Sequence, residues 1–270
     1  MPEEIIARVS GVAPESAILF LFIATLRPLG LLFGFMAFAW GMGSSVVLRT
    51  AIGLTLGLPM ALANIEQIIG VIERNSLAEM IMILPKEVVI GFALGFLASV
   101  PFFALKAAGA ITDNFRGESD SGHTDPNGGT ISSWGIIFML LGLFAFFASG
   151  GLWQLVKMLY QSYAVWPLTA PLPPLTGASA LRMADLITAI LAQALLIAAP
   201  LLILLIAVDF IVIVASRTAQ RFRLYDNEFA LKNLAAILAL PLMVLYVARI
   251  ADDHVLDSLA ALPLLRGVIP

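Results

Sequence analysis

Residues 183–216 read MADLITAILAQALLIAAPLLILLIAVDFIVIVAS, with Asp185 and Asp209 the only charges. A strand averages about 5–6 residues and a membrane-spanning helix needs roughly 20. A run this long and this apolar therefore reads as helix, because backbone groups in lipid must be satisfied within their own segment. Comparable runs fall at 17–48, 50–72, 81–112, 131–166 and 229–250. Two of them, 50–72 and 229–250, are close to the length of one span. The others are too long and are interrupted: at Arg27-Pro28 and Gly41-Met42-Gly43, at Pro101, at Gly150-Gly151, and at Pro200. Proline removes a helix hydrogen bond and crowds the preceding turn. The expected fold is all-α, a polytopic membrane-type helical protein with kinked helices or helical hairpins. Simple kinks in ordinary spanning helices are the alternative. The chain reads as a single domain over 1–270, with 1–16 an N-terminal segment and 251–270 a C-terminal tail.

Composition agrees. Of 270 residues, 60% are hydrophobic and 12% charged, against about 45–50% and 25% in soluble domains. Mean hydropathy is +0.99. This excludes a soluble enzyme, a disordered protein and a free nucleic-acid-binding domain; a net charge of -3 offers no basic footprint for nucleic acid. With no cysteine there is no disulfide, thiolate catalysis or cysteine metal site, and His123 and His254 stand too far apart for a clustered histidine site. No phosphate loop, dinucleotide fingerprint or nucleophile motif occurs. The expectation is no catalytic residue, no cofactor and no metal. The acidic start, MPEEIIARVSGVAPESA, does not read as a cleaved signal peptide. Basic residues flank the two sides of a six-span arrangement almost equally, so orientation does not follow from charge. The cluster Arg217–Arg223 makes that connector the preferred cytoplasmic one.

Three glycine pairs, Gly30/Gly34, Gly53/Gly57 and Gly91/Gly95, have the spacing that lets helix backbones approach closely. Arg27, Lys86, Glu87, Lys106 and Asp209 are ionisable groups inside apolar runs. Each normally faces protein or water, as part of an ion path, a gate contact, a snorkelling chain or an interhelical pair. Asp113–Gly129, DNFRGESDSGHTDPNGG, reads as a loop. His123 with Asp120 and Asp125 could be drawn as a metal site, but a solvated acidic loop is the better reading. The loop exceeds the usual helix connection of roughly 2–8 residues, as lids and plugs do. Arg217–Leu234 reads as a basic amphipathic connector. Trp166–Gly177 reads as a stiff proline-rich one.

Three stretches then carry a family resemblance. Residues 85–117, PKEVVIGFALGFLASVPFFALKAAGAITDNFRG, resemble the signature of the SctT/FliR family of type III secretion and flagellar export-apparatus subunits. Ser149–Leu168 is similar to that family's Gly-Gly-containing helix with its Tyr and Trp-Pro. Residues 199–234 are similar to its penultimate helix, basic loop and Lys-containing last helix. Asp113-Asn114-Phe115-Arg116-Gly117 looks more like the virulence or symbiosis branch than the flagellar one. The final connector departs from the family, reading Arg221-Phe222-Arg223-Leu224-Tyr225-Asp226 where a Pro-Gln-Leu-Asn-Val-like stretch is common.

The resemblance implies a non-enzymatic, channel-forming subunit of the bacterial inner membrane, much of it raised above the membrane plane. It would assemble with SctR-like and SctS-like subunits, with a SctU-like protein around the cytoplasmic entrance, and pass unfolded proteins. The 113–129 loop would plug the pore, with Asp113, Asn114, Phe115, Arg116 and Gly117 at the plug and Phe115 at the constriction. Lys86, Glu87, Lys106, Asp209 and Lys232 would make inter-subunit polar contacts. The other reading is an ion-coupled secondary transporter, which broken helices and a buried Arg27 and Asp209 would suit. Against it, the two halves show no convincing internal repeat.

Overall fold

The computed structural model describes residues 14–42, 45–73, 77–117, 122–126, 128–168, 177–218 and 227–260. Helices dominate in chain order: α1 (Pro14–Gly34), α2 (Met36–Met42), α3 (Val46–Ala63), α4 (Ile65–Glu73), α5 (Leu77–Ala98), α6 (Val100–Arg116), α7 (Ser133–Ala148), α8 (Gly151–Val165), α9 (Gly177–Thr218) and α10 (Glu228–Ala260). Between α6 and α7 a two-residue ladder pairs β1 (His123–Thr124) with β2 (Thr130–Ile131), antiparallel. Three helical segments among the described residues are long and apolar enough to cross a membrane: Val46–Ala63, Ala194–Arg217 and Glu228–Tyr246. The number rises to five if α5–α6 and α7–α8 each count as one broken span.

The residues form two compact units. In the first, α1 packs against α5 and α3. The glycines make this possible. A Cβ at Gly30 would come within 2.9 Å of the Phe92 nitrogen, one at Gly91 within 2.9 Å of the Leu31 nitrogen, and one at Gly95 within 2.7 Å of the Phe35 nitrogen. A Cβ at Gly34 would press on the Phe92 backbone, and one at Gly57 on the Ala24 carbonyl carbon at 2.9 Å; Gly53 sits on the Leu29 side chain. Leu31, Leu32, Phe35, Leu94, Leu155 and Leu159 fill the core around this seam.

The second unit contains α6, the β1–β2 hairpin, α7, and the described parts of α9 and α10 within Gly177–Ser258. Helix α6 packs on α7 and α9. Gly109 lies against the Gly135 and Trp134 backbone. Phe102 meets Phe146 edge-on, ring centroids 5.7 Å apart, and Ala198, Leu201 and Leu205 of α9 are fully buried.

Several interruptions read from sequence lie elsewhere in the structure. Pro28 and Pro200 are inside continuous helices. Proline strips the i−4 carbonyl of its donor. The Leu196 carbonyl that Pro200 leaves free accepts from the Tyr246 hydroxyl at 3.0 Å, and Gly57 comes up against the Ala24 carbonyl that Pro28 leaves free. The first run breaks not at Pro28 but at Phe35, where Ser99 Oγ accepts the Met36 N–H at 2.8 Å, and α2 ends at Met42, within the expected Gly41-Met42-Gly43 interruption, with residues 43–44 outside the described residues. Run 50–72 is divided at Asn64, whose N–H donates back to the Met60 and Ala61 carbonyls. Run 81–112 divides at Ser99, two residues ahead of Pro101, whereas run 131–166 divides at Ser149–Gly150, at the expected Gly-Gly pair, with Gly150 at φ +75°.

Candidate functional site

Burying an arginine in apolar surroundings demands both a counter-charge and full use of its donors. Arg27 on α1 has both. Its side chain and that of Glu87 on α5 are 0% exposed. Nε donates to Glu87 Oε2 at 2.7 Å and Nη2 to Oε1 at 2.9 Å, a bidentate fork. Nη1 donates to Ser162 Oγ at 3.1 Å, and Nη2 also to the Trp166 carbonyl at 2.9 Å. The guanidinium lies 3.9 Å from the Tyr163 ring centroid. Lys86 Nζ stands 3.3 Å from Glu87 and donates to the carbonyls of Pro167 (3.1 Å) and Leu168 (2.5 Å). Two cations thus meet the chain where it leaves the C-terminus of α8, the end that favours positive charge. Pro85 lies inside α5, so Lys86 and Glu87 are mid-helix rather than at a helix start.

The second unit holds a separate polar cluster. Asp113 is 1% exposed. Its Oδ2 accepts the Trp134 N–H at 2.8 Å, and its Oδ1 accepts from Arg116 Nη2 at 2.7 Å and Nε at 3.1 Å. Ser132 Oγ accepts the Gly135 N–H at 3.1 Å. Together Asp113 and Ser132 cap the first turn of α7. Lys106 pairs with the buried Asp125, fastening the hairpin back to α6. Lys232 Nζ is 2.8 Å from Asp209 and 2.8 Å from Glu228, and donates to the Phe115 carbonyl at 3.4 Å.

One reading from sequence needs correcting. Asp113, Asn114, Phe115 and Arg116 are the last turn of α6, not loop. The bond from Asp113 to the next helix and its i,i+3 pair with Arg116 hold that turn helical. The non-helical connection starts at Gly117, which adopts φ +82° and donates to the Asn114 carbonyl at 3.1 Å, the left-handed exit glycine favours. Asn114 and Phe115 are exposed, Phe115 by 45%. Residues 118–121 and 127 of the connection lie outside the described residues, as do most of the 217–227 and 166–177 connectors. Asp125 is taken by Lys106, and His123 Nε2 faces Ser133 Oγ at 3.4 Å, so the two do not converge on one ion. Among the described residues no group of three potential ligands could hold a metal.

The sequence reading assigned Lys86, Glu87, Lys106, Asp209 and Lys232 to contacts between subunits. Each is engaged within its own chain in the structure. Ser162 and Tyr163 against Arg27, Asp125 against Lys106 and Trp134 against Asp113 are partners that the sequence does not announce directly. The Tyr and Trp-Pro that follow the Gly-Gly helix were the available signal for the first two.

Buried ion networks tying helices together, with broad apolar faces outside them, define a polytopic helical membrane protein. The chain belongs to the family described as bacterial export proteins, family 1, whose model matches residues 18–258. This is the SctT-type export-apparatus family of type III secretion, virulence branch. The chain is 28% identical over 225 residues to Yop proteins translocation protein T of Yersinia pestis, covering 83% of this chain and 85% of the relative. It is 30% identical over 156 residues to surface presentation of antigens protein SpaR of Shigella flexneri (56% and 58% covered). It is 29% identical over 170 residues to secretion system apparatus protein SsaT of Salmonella typhimurium (57% and 60%). Family and apolar helices together make it a multi-pass protein of the bacterial inner membrane.

Proposed function

We propose that this chain is a non-enzymatic, channel-forming subunit of a type III secretion export gate, which passes unfolded proteins across the inner membrane. Its partners are SctR-like and SctS-like subunits, with a SctU-like protein at the cytoplasmic entrance. The assembled chain stands largely above the membrane plane. The end of α6 and the connection after it plug the resting pore.

The observation that carries this reading is the family match over 18–258. The exposed apolar faces support an assembly: Phe22, Phe33 and Phe92 in the first unit and Ile203, Phe210 and Leu238 in the second are each at least half exposed. Apolar surface on this scale calls for lipid or protein cover. The last turn of α6 supports the plug. Asp113 and Arg116 are buried anchors, so Asn114 and Phe115 are the residues free to face a pore, and Gly117 gives the chain its exit.

Two measurements test the reading. Co-expression with SctR-like and SctS-like neighbours, followed by native mass spectrometry in mild detergent, should give a defined hetero-oligomer. A stable monomer or homodimer indifferent to those neighbours would favour a transporter. In liposomes holding the complex, Phe115→Ala and removal of 118–122 should each raise ion leakage with assembly intact. Unchanged conductance would end the plug reading.

A further inference from the structure

Two carboxylate oxygens and one carbonyl, from three helices, surround the Lys232 ammonium. Asp209 Oδ1 on α9 lies at 2.8 Å, Glu228 Oε1 one turn back on α10 at 2.8 Å, and the Phe115 carbonyl in the last turn of α6 at 3.4 Å. Lys232 itself is 6% exposed. One cation thus answers two carboxylates and the negative end of a helix, where carbonyls lack intrahelical donors. Three residues earlier on the same helix, Phe229 lays its ring over Gly117, so closely that any Cβ there would strike it. Both contacts grip the same short piece of chain, Phe115–Gly117, from the start of α10. Within that piece Arg116 is paired with Asp113, while the Phe115 side chain is exposed. The sign of the field matters: without the cation, Asp209 and Glu228 would repel the C-terminal carbonyls of α6.

We infer that Lys232 is a positioning residue for the plug, a latch by which the two membrane-length helices α9 and α10 hold the last turn of α6 in its resting place. Movement of α10 against α9 would withdraw the ammonium from Phe115, release the Phe229 ring from Gly117 and free the exposed end of α6. The inference rests on the plug reading for its consequence, but not for the contact itself.

The chain has no cysteine, so a single introduced thiol reports on its own position. In the assembled gate, N114C measures access to the end of α6 through its modification rate. T124C, on the hairpin fastened by Lys106, serves as a distant control. Lys232→Met should speed modification of N114C at least fivefold and leave T124C unchanged. It should also raise liposome leakage, while Lys232→Arg, which keeps charge and donors, should restore both. If Lys232→Met fails to assemble, Lys232→Met/Asp209→Asn removes an orphaned carboxylate and should still expose N114C. Unchanged N114C reactivity in the assembled variant overturns the latch, and so does an equal rise at both thiols, the mark of general loosening. If reactivity rises at N114C alone while leakage stays flat in this variant and in Phe115→Ala, the latch stands and the plug reading fails.

Discussion

Glu87→Ala isolates the largest electrostatic commitment in the first unit. The wild-type carboxylate receives two hydrogen bonds from Arg27, at 2.7 and 2.9 Å, and lies 3.3 Å from Lys86. Both members of the Arg27 pair are 0% exposed. Its removal leaves two cations facing one another's fields, with Ser162, Tyr163 and the Trp166, Pro167 and Leu168 carbonyls among their neutral partners. Breaking a buried pair from one side costs about 3–5 kcal/mol. At about 2–4 °C per kcal/mol for a unit of 150–250 residues, the apparent melting midpoint of the detergent-purified complex should fall by about 6–20 °C. Glu87→Gln should recover little, because one of its two acceptors becomes an NH₂ donor aimed at a guanidinium. The double variant Arg27→Met/Glu87→Met removes both charges. Its residual loss should be nearer 1–3 kcal/mol, the usual scale for carbonyls and hydroxyls deprived of donors. The readout is a double-mutant cycle on the midpoint, at fixed detergent and subunit concentration. Additive single losses, with coupling below about 0.5 kcal/mol, would show that Arg27 and Glu87 do not depend on one another and would refute the reasoning.

Gly91→Ala should destabilise by more than an exposed glycine change, because its Cβ meets Arg27 and Leu31 backbone that cannot rotate away; a loss of about 1–3 kcal/mol is expected in the same assay, and no loss would mean α1 and α5 part easily. Asp113→Ala strips the Trp134 N–H of its cap and Arg116 of its partner. A cost of about 1–3 kcal/mol should appear together with faster hydrogen exchange at the start of α7, and unchanged exchange there would contradict the capping role. Tyr246→Phe leaves the Leu196 carbonyl beside Pro200 without its donor; about 1 kcal/mol should be lost, and Pro200→Ala in that background should restore it by returning the backbone N–H.

The helical, membrane-type fold is legible in the sequence because apolar runs of more than 20 residues admit no other backbone solution in lipid. The glycine spacing is equally readable: a four-residue interval puts Gly91 and Gly95 on one stripe, and the structure uses that stripe for backbone approach. The places where helices break are only partly legible: the Gly-Gly pair marks the break at Ser149–Gly150, but Pro28 and Pro200 stand inside continuous helices. Proline announces a lost hydrogen bond, but whether the helix bends, breaks or continues depends on what replaces the donor. Tyr246 supplies it for Pro200 from 46 residues downstream, and no local window contains that fact. The break at Phe35, directly after Gly34, is held by Ser99, distant in sequence, which accepts the freed Met36 N–H.

The charged residues divide along the same line. Sequence identifies Arg27, Lys86, Glu87, Lys106 and Asp209 as costly in apolar runs, yet it says nothing of their partners, because the long-range ion pairs among the described residues join separate helices or, for Lys106–Asp125, a helix and the hairpin. In the structure four buried charges, Arg27, Lys86, Asp113 and Lys232, share one property that spacing alone could not reveal. Arg27 and Lys86 sit where α8 ends, Asp113 where α7 begins, and Lys232 where α6 ends. Each charge has the sign that its helix terminus favours. A chain whose helices are broken repeatedly creates termini inside apolar surroundings, where water cannot satisfy them. These charges serve the helix ends that meet connectors, whereas the breaks at Phe35, Asn64, Ser99 and Ser149–Gly150 are satisfied by Ser99 Oγ and by backbone carbonyls. The end of α6 is one such terminus, its Phe115 carbonyl reached by Lys232 from α10.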